Sequence, residues 1–466
     1  YTLSLHDALP ISFLRNVEWE MRYAGGILES ENKQGGISMR KEHKWLWSAA
    51  AIAMAAGICM GCGAKSDGGT AQTAEQDVKA QEESTGQTDA SQTEGDKKIT
   101  LLLTYPKEKT VLYQCIEDFT AETGIQVEIQ YMPLADSRKQ INIMVASDSL
   151  PDVMDVDNTD TATYAKMGIL ADITDRVNSE LELDQYYDSI LGQNQYEGKY
   201  YGLPFTSNNL CLYYNKELLD KAGVTEVPAT WDGLLEACGK LKSTGVNGFG
   251  VAGSQTTDTT FQMWPFIWGA GSDVDRIDSP ETVEMLKFYQ TMVQNQYMST
   301  EVVNYNSGDN ANQFIAGKTA MVIDGPWRLS SIQADAGFEF GVAKVPEGSA
   351  GFKTVLGGHN FAISNTGNVD LSWEFVKYMN RPEVMVKYSE AENYIPSRKD
   401  VAAGSEYFGQ EPISTFVEMQ EYAVAMPVEN YNKISDILIE MWQSVVLGAK
   451  DPEQAAKDAG ASIAGL

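Results

Sequence analysis

Residues 200–249 read YYGLPFTSNNLCLYYNKELLDKAGVTEVPATWDGLLEACGKLKSTGVNGF, and their punctuation decides the fold. Tyr201-Gly202-Leu203-Pro204 is an apolar phrase bounded by turn residues. Thr206, Ser207, Asn208 and Asn209 form a polar gap, and Leu210 to Tyr214 is an aromatic run of β type. Strand signals on both sides of a polar gap mark a place where the chain leaves one body and enters another. From Asn215 the apolar spacing turns helical and stops at Gly223, and after Pro228 a second helix is expected over Trp231 to Leu241. Glycine just past the last periodic residue is the usual helix stop.

Working upstream, Ile99 to Thr104 is a six-residue apolar run suited to a strand buried on both faces. A helix over Val111 to Thr120 stops near Gly124, a strand is expected over Gln126 to Tyr131, a helix over Asp136 to Ala146 and a strand over Asp152 to Val156. Strand and helix in alternation predict a doubly wound α/β unit with a parallel sheet, which binds ligands at the carboxyl ends of its strands. Downstream, Gly248 to Gly253 reads as a buried strand, Phe261 to Gly271 as an aromatic helix or loop, Glu281 to Tyr297 as an amphipathic helix and Phe338 to Val345 as a strand. Helices are expected over Trp373 to Met379, Ile413 to Met426 and Ile434 to Gly448, the last two packing on the second body.

The 466 residues are enough for two or three domains at about 150 residues each. The net charge is −30, and residues 1–61 are balanced, so the whole excess falls after them. Such a surface disfavours nucleic acid and anionic lipid as partners. The five cysteines stand at 59, 62, 115, 211 and 238 without histidines at ligand spacing, so no metal and no cofactor are expected. Cys115, Cys211 and Cys238 lie in apolar stretches and read as small buried hydrophobes. The chain has no P-loop, no G-x-G-x-x-G opening a helix after a strand, no H-E-x-x-H and no G-x-S-x-G.

Residues 1–38 carry no clean period and precede Met39-Arg40-Lys41, which reads as a start followed by a basic region. Leu46 to Met60 is an apolar, alanine-rich run of signal-peptide length, shorter than the roughly 20 residues that span a bilayer. Residues 1–38 are therefore read as a non-native upstream segment and 39–61 as a signal peptide. Gly63 to Lys97 has no aromatic residue and one valine; such a segment cannot offset its ordering entropy and reads as a disordered tether.

The phrases LYYNKELLDKAG and P-x-TWDGLLEACGKLK, with FTAETGIQVEI and PDVMDVDNTDTATYAKMGILADITDRV before them and GKTAM, GPW, VLGGHNFAI, NYIPSR and Met426-Pro427 after them, resemble the extracellular solute-binding proteins of ABC importers, in particular the maltodextrin- and sugar-binding family. The resemblance runs from Lys98 to the C-terminus. It implies a type II periplasmic-binding-protein fold: two α/β lobes, joined by crossings near Thr206 to Leu210, Leu356 to Phe361 and Ala403 to Pro412, with the ligand cleft between them. The expected domains are 98–207 and 357–405 for the first lobe, 208–356 for the second, and 406–466 as helices on the second. Cys59-Met60-Gly61-Cys62 resembles a bacterial lipoprotein processing site, with Cys59 where the family pattern prefers leucine. In that reading residues 62–97 are a lipidated Cys62 and its linker, and the protein sits at the outer face of the cytoplasmic membrane. The alternative is a soluble secreted protein cut nearby.

Candidate ligand residues follow. Asp155 and Asp157 stand at a strand end, where a carboxylate accepts from adjacent hydroxyls or caps the next helix. Asn208 and Asn209 occupy the first crossing. Phe261 and Trp264 belong to an aromatic stripe that serves a core or a sugar face; for Trp268 core is favoured. Asp324, at the end of the strand before Gly325-Pro326, is a further candidate, and by resemblance Trp327 after it is a stacking platform, since the C–H faces of a pyranose stack on an aromatic π-face. Arg328 is a fork donor or a solvated side chain. His359, one of three histidines, stands at the return crossing, where paired glycines allow close backbone approach. Tyr394 is a candidate contact from the loop NYIPSR.

The function implied is capture of a mono- or oligosaccharide by a monomeric, non-enzymatic lipoprotein that delivers it to an ABC permease. Two rivals stand: an adhesin or sensor input with the same fold, and a glycoside hydrolase, whose two carboxyls about 5 to 9.5 Å apart no sequence can show.

Overall fold

The computed structural model describes residues 97–426 and 430–466; the expected upstream segment, signal peptide, Cys62 and most of the linker lie outside them. Among the described residues twelve strands are formed: β1 (Lys98–Leu103), β2 (Gln126–Tyr131), β3 (Val153–Asp157), β4 (Gln195–Tyr196), β5 (Lys199–Tyr200), β6 (Leu203–Asn208), β7 (Cys211–Asn215), β8 (Asn247–Gly250), β9 (Thr319–Asp324), β10 (Phe340–Ala343), β11 (Thr354–Ile363) and β12 (Ala423–Ala425). They build two principal sheets, one per lobe.

The first lobe holds the sheet β12-β11-β3-β1-β2, with β6 on β11. The KITLLL run of β1 pairs in parallel with β2 and β3, and Asp152 locks the register by accepting from the Thr100 N–H at 2.7 Å. The parallel sheet expected over 99–156 is formed by β1, β2 and β3, and β11 joins it antiparallel to both β3 and β6. Apolar runs show that a strand is buried but not the direction of a partner some 200 residues away. Helices Thr110–Thr123 and Val369–Met379 cover this sheet through Phe119, Phe375 and Trp373.

The second lobe holds β10-β7-β9-β8. The strand β9 is buried along its whole length because both faces are covered, Met321 and Ile323 by one cluster and Val322 by another. The larger cluster takes in helices Trp231–Leu241, Thr257–Ala270, Pro280–Gln294, Tyr431–Val446 and Pro452–Ile463, the last of which the sequence reading did not anticipate. The helix expected over Ile413 to Met426 ends at Met419. The chain then turns through Gln420–Tyr422 into β12, which pairs with Thr354–Leu356 of β11, so strand pairing displaces the helix there.

Between the sheets the chain passes from β6 to β7 through Asn209 and Leu210, and β11 runs beside that passage. Thr354 fastens the two together, its hydroxyl accepting from Leu210 N–H at 3.1 Å and donating to Leu210 C=O at 2.9 Å. Among the described residues no helix is long and apolar enough to cross a membrane.

Candidate functional site

Alternation along β3 places Val153, Asp155 and Asp157 on one face and Met154 and Val156 on the other, where the latter two enter an apolar cluster. Asp155 sits fully enclosed in mid-sheet, accepting from the Thr104 N–H at 2.9 Å and facing His359 Nδ1 at 2.7 Å. Asp157, at the strand end, emerges into a cavity of about 260 Å³. It accepts from the Thr159 N–H at 2.9 Å and from the Thr159 hydroxyl at 2.6 Å.

Both lobes line this cavity. The first supplies Tyr105, Arg138, Asp157, Thr159, His359 and Tyr394; the second supplies Asp258, Phe261, Ser307, Trp327, Arg328 and Tyr431, with Asn208 and Gly357 at the crossings. Trp327 follows β9 in a short turn, Pro326–Arg328, and its ring lies 6.2 Å from that of Phe261, tilted by 55°. The glycine of the G-P-W phrase has a steric cause: a Cβ on Gly325 would overlap the Trp327 indole, which folds back over it. Tyr105 packs at 5.0 Å from the His359 ring and 5.5 Å from Tyr394.

Each cation at the cavity has a carboxylate behind it. Arg138 Nε donates to Asp160 Oδ2 at 2.6 Å, and Nη1 reaches Asn432 Oδ1 on the other lobe at 3.3 Å. Arg328 Nε stands 3.4 Å from Asp324, and its Nη2 donates to Ser307 Oγ at 3.0 Å. Burial pushes the Asp160 carboxyl up to about 6, against the pull of Arg138, and Asp157 adds to the rise. Burial likewise pushes Asp324 up to about 6, opposed by Arg328 and the Gly325 N–H. For His359 burial lowers the pKa, but Asp155, Asp157 and Asp160 together outweigh it and hold it above the ordinary value. With Nδ1 engaged by Asp155, the other ring nitrogen is the one left for a ligand.

Of the sequence candidates, Asp157, Asn208, Phe261, Trp327, Arg328, His359 and Tyr394 are brought together at the cavity. Asp155 and Asp324 are not at its surface: both are enclosed beneath it and support His359 and Arg328. Asn209 faces away, donating to the Phe416 C=O at 2.8 Å and Gln420 Oε1 at 3.0 Å, which ties the crossing to the C-terminal segment. Trp264 is fully buried in the second lobe, stacked at 5.2 Å on Trp268, which is also core. Tyr105, Arg138, Asp258, Ser307 and Tyr431 were not singled out from the sequence. For Tyr105 and Arg138 a signal existed, since they follow the carboxyl ends of β1 and β2, where such sheets bind ligands. Among the described residues no group of His, Cys, Asp and Glu is arranged to hold a metal ion.

Two lobes that line one small polar and aromatic cavity define a solute-binding protein that encloses its ligand. The chain belongs to the bacterial extracellular solute-binding protein family, whose model matches residues 114–413; these are non-catalytic binding components of ABC importers. An ABC transporter solute-binding protein from Thermotoga lettingae, bound with α-D-tagatose, superposes with a TM-score of 0.72 at 28% identity, covering 79% of this chain and 98% of that one. The maltotriose-binding protein of Pyrococcus abyssi is 26% identical over 333 residues, 69% of this chain and 71% of the relative. The sn-glycerol-3-phosphate-binding periplasmic protein of Brucella abortus is 24% identical over 318 residues, 62% of this chain and 72% of the relative.

Proposed function

We propose that this protein captures a small carbohydrate, of mono- or oligosaccharide class, between its two lobes and delivers it to an ABC permease. The observation that carries the reading is the make-up of the cavity. The rings of Trp327 and Phe261 from one lobe share it with the carboxylate, guanidinium and imidazole of Asp157, Arg138 and His359 from the other. A sugar presents both an apolar C–H face and a rim of hydroxyls, and needs both partners at once. A volume of about 260 Å³ lies just under the range of about 300 Å³ upward of drug-sized sites, which suits a compact ligand. Asn208 Oδ1, buried at this wall without a hydrogen-bond donor, would be satisfied by a ligand hydroxyl.

In the cell the protein is held at the outer face of the cytoplasmic membrane by a lipid on Cys62, with residues 63–97 as the tether. Metabolic labelling with a palmitate analogue, lost in Cys62→Ser, tests that part. Capture is tested by tryptophan fluorescence titrated with sugars, and with amino acids and oligopeptides as controls. A saturable change with one sugar class, abolished in Trp327→Ala while the far-ultraviolet dichroism is kept, is the expected result. Saturation by another solute class alone would overturn the carbohydrate reading. Two guanidiniums in the wall favour a second reading, an anionic solute such as a glycerol phosphate ester.

A further inference from the structure

The charges around the cavity decide between these two readings. Arg138 is matched by Asp160, Arg328 by Asp324 and His359 by Asp155, each pair within ion-pair distance. Among the described residues, these pairs leave the carboxylates of Asp157, from the first lobe, and Asp258, from the second, with hydroxyl and amide partners: the Thr159 N–H and hydroxyl for the one, the Ser307 N–H at 3.3 Å for the other. Both line the cavity. Five carboxylates thus stand against two guanidiniums and one imidazole.

A phosphate ester entering this space meets guanidiniums whose charge is already neutralised from behind, and two facing carboxylates that repel it in a partly dehydrated site where charges act strongly. A neutral polyol meets the same carboxylates as acceptors for its hydroxyls and the same guanidiniums as donors. The chain's net charge of −30 adds a field of the same sign further out.

Resting on the carbohydrate reading, we propose that Asp157 and Asp258 are specificity-determining residues, one from each lobe, that exclude anionic solutes and restrict the site to uncharged polyols. They act by repulsion as well as by attraction, which is how a site separates ligands that share a hydroxylated skeleton. Asp160 and Asp324 complete the device by occupying the two arginines.

The experiment is calorimetric titration of the full-length protein, and of its Asp258→Asn and Asp157→Asn/Asp258→Asn variants, with glycerol 3-phosphate, α-D-tagatose and maltotriose. Asparagine keeps the size and an acceptor oxygen, and circular dichroism melting checks that each variant folds. The expected result is a wild-type dissociation constant for glycerol 3-phosphate weaker than about 1 mM, tightening by roughly tenfold or more in the double variant as two like charges are removed. Glycerol 3-phosphate binding to the wild type well below that limit would overturn the proposal, as would equal affinity for it in wild type and folded variants. If neither neutral sugar binds the wild type, the carbohydrate reading is weakened by itself. The change in anion affinity between wild type and variants still reports on the two carboxylates.

Discussion

Gly357 and Gly358 are adjacent in β11, yet alanine at the two positions should do different things. Gly358 has φ +143°, and a Cβ there would overlap the Thr206 carbonyl oxygen and stand 3.0 Å from Ser207 Cα. These are backbone atoms of β6, paired to Gly358 through Ser207, so they cannot turn aside. Backbone strain of about 1–3 kcal/mol adds to overpacking of about 1–3 kcal/mol, giving a loss near 4 kcal/mol. At Gly357 the obstacles are side chains: a Cβ would overlap Asn208 Oδ1 and stand 2.7 Å from Phe261 Cζ. Both can rotate, at about 1–2 kcal/mol, but both line the cavity and would turn into it.

Gly358→Ala should therefore lower the urea midpoint by about 1 M, taking an m-value near 4 kcal/mol/M for a body of this size. Gly357→Ala should keep a midpoint within about 0.5 M of wild type and lose ligand affinity by tenfold or more. Near-ultraviolet dichroism in urea and ligand titration by fluorescence read the two effects separately. A Gly358→Ala protein as stable as wild type, or a Gly357→Ala protein that binds as wild type does, would refute the steric reasoning at that position.

Other outcomes follow from the same packing. Trp264→Ala empties a fully buried site and should cost about 3–5 kcal/mol in urea unfolding. Trp327→Ala should leave the midpoint close to wild type but, if a ligand covers about 80 Å² of its ring, weaken binding roughly 30-fold. Asp324, whose carboxyl is pushed up to about 6 in the folded state, binds its proton more tightly folded than unfolded. Its contribution is therefore fully present below about pH 4 and is lost as pH rises through 6, and wild type should lose about 2–3 kcal/mol against Asp324→Asn between pH 4 and 7.5 in denaturant melts; a pH-independent difference would contradict the shift. Cys115, Cys211 and Cys238 are buried free thiols, with burial holding the Cys238 thiol up at about 12. A thiol reagent at neutral pH should label these three only in unfolding concentrations of denaturant, and rapid labelling of the native protein would show that they are accessible.

The elements were legible where local physics decides them. The run Ile99 to Leu103, the Gly124 and Gly223 stops and the helix Trp231–Leu241 follow from apolar spacing and a left-handed glycine. Pairings between distant segments were not legible: β11 against β3, or Arg138 against Asn432, 294 residues apart. The helix Thr257–Ala270 shows why the aromatic stripe misled. From Gln262 to Ala270 it is buried on every side, so its periodicity carries no orientation and Trp264 gives no sign of being core. Only its first turns, with Asp258 and Phe261 three residues apart on one face, reach the cavity.

That division of labour bears on how such a site closes. The principal rings of the wall, Trp327 and Phe261, come from the second lobe, while Arg138, Asp157 and His359 come from the first. On the proposed reading, a sugar on the second lobe alone meets Trp327 and Phe261 with Asp258 and Arg328 but lacks Arg138, Asp157 and His359, and one on the first lobe alone meets those three with Tyr105 and Tyr394 but lacks Trp327 and Phe261. Either half-site is weak, and the full binding free energy exists only when the lobes meet around the ligand. Because a ligand shifts an equilibrium by no more than its differential affinity for the two states, dividing the contacts between two lobes makes part of that affinity differential. Arg138 donating to Asn432 Oδ1 at 3.3 Å and Asn393 Nδ2 donating to Ser330 Oγ at 2.7 Å also join the lobes, each contact of this kind being worth about 1 kcal/mol.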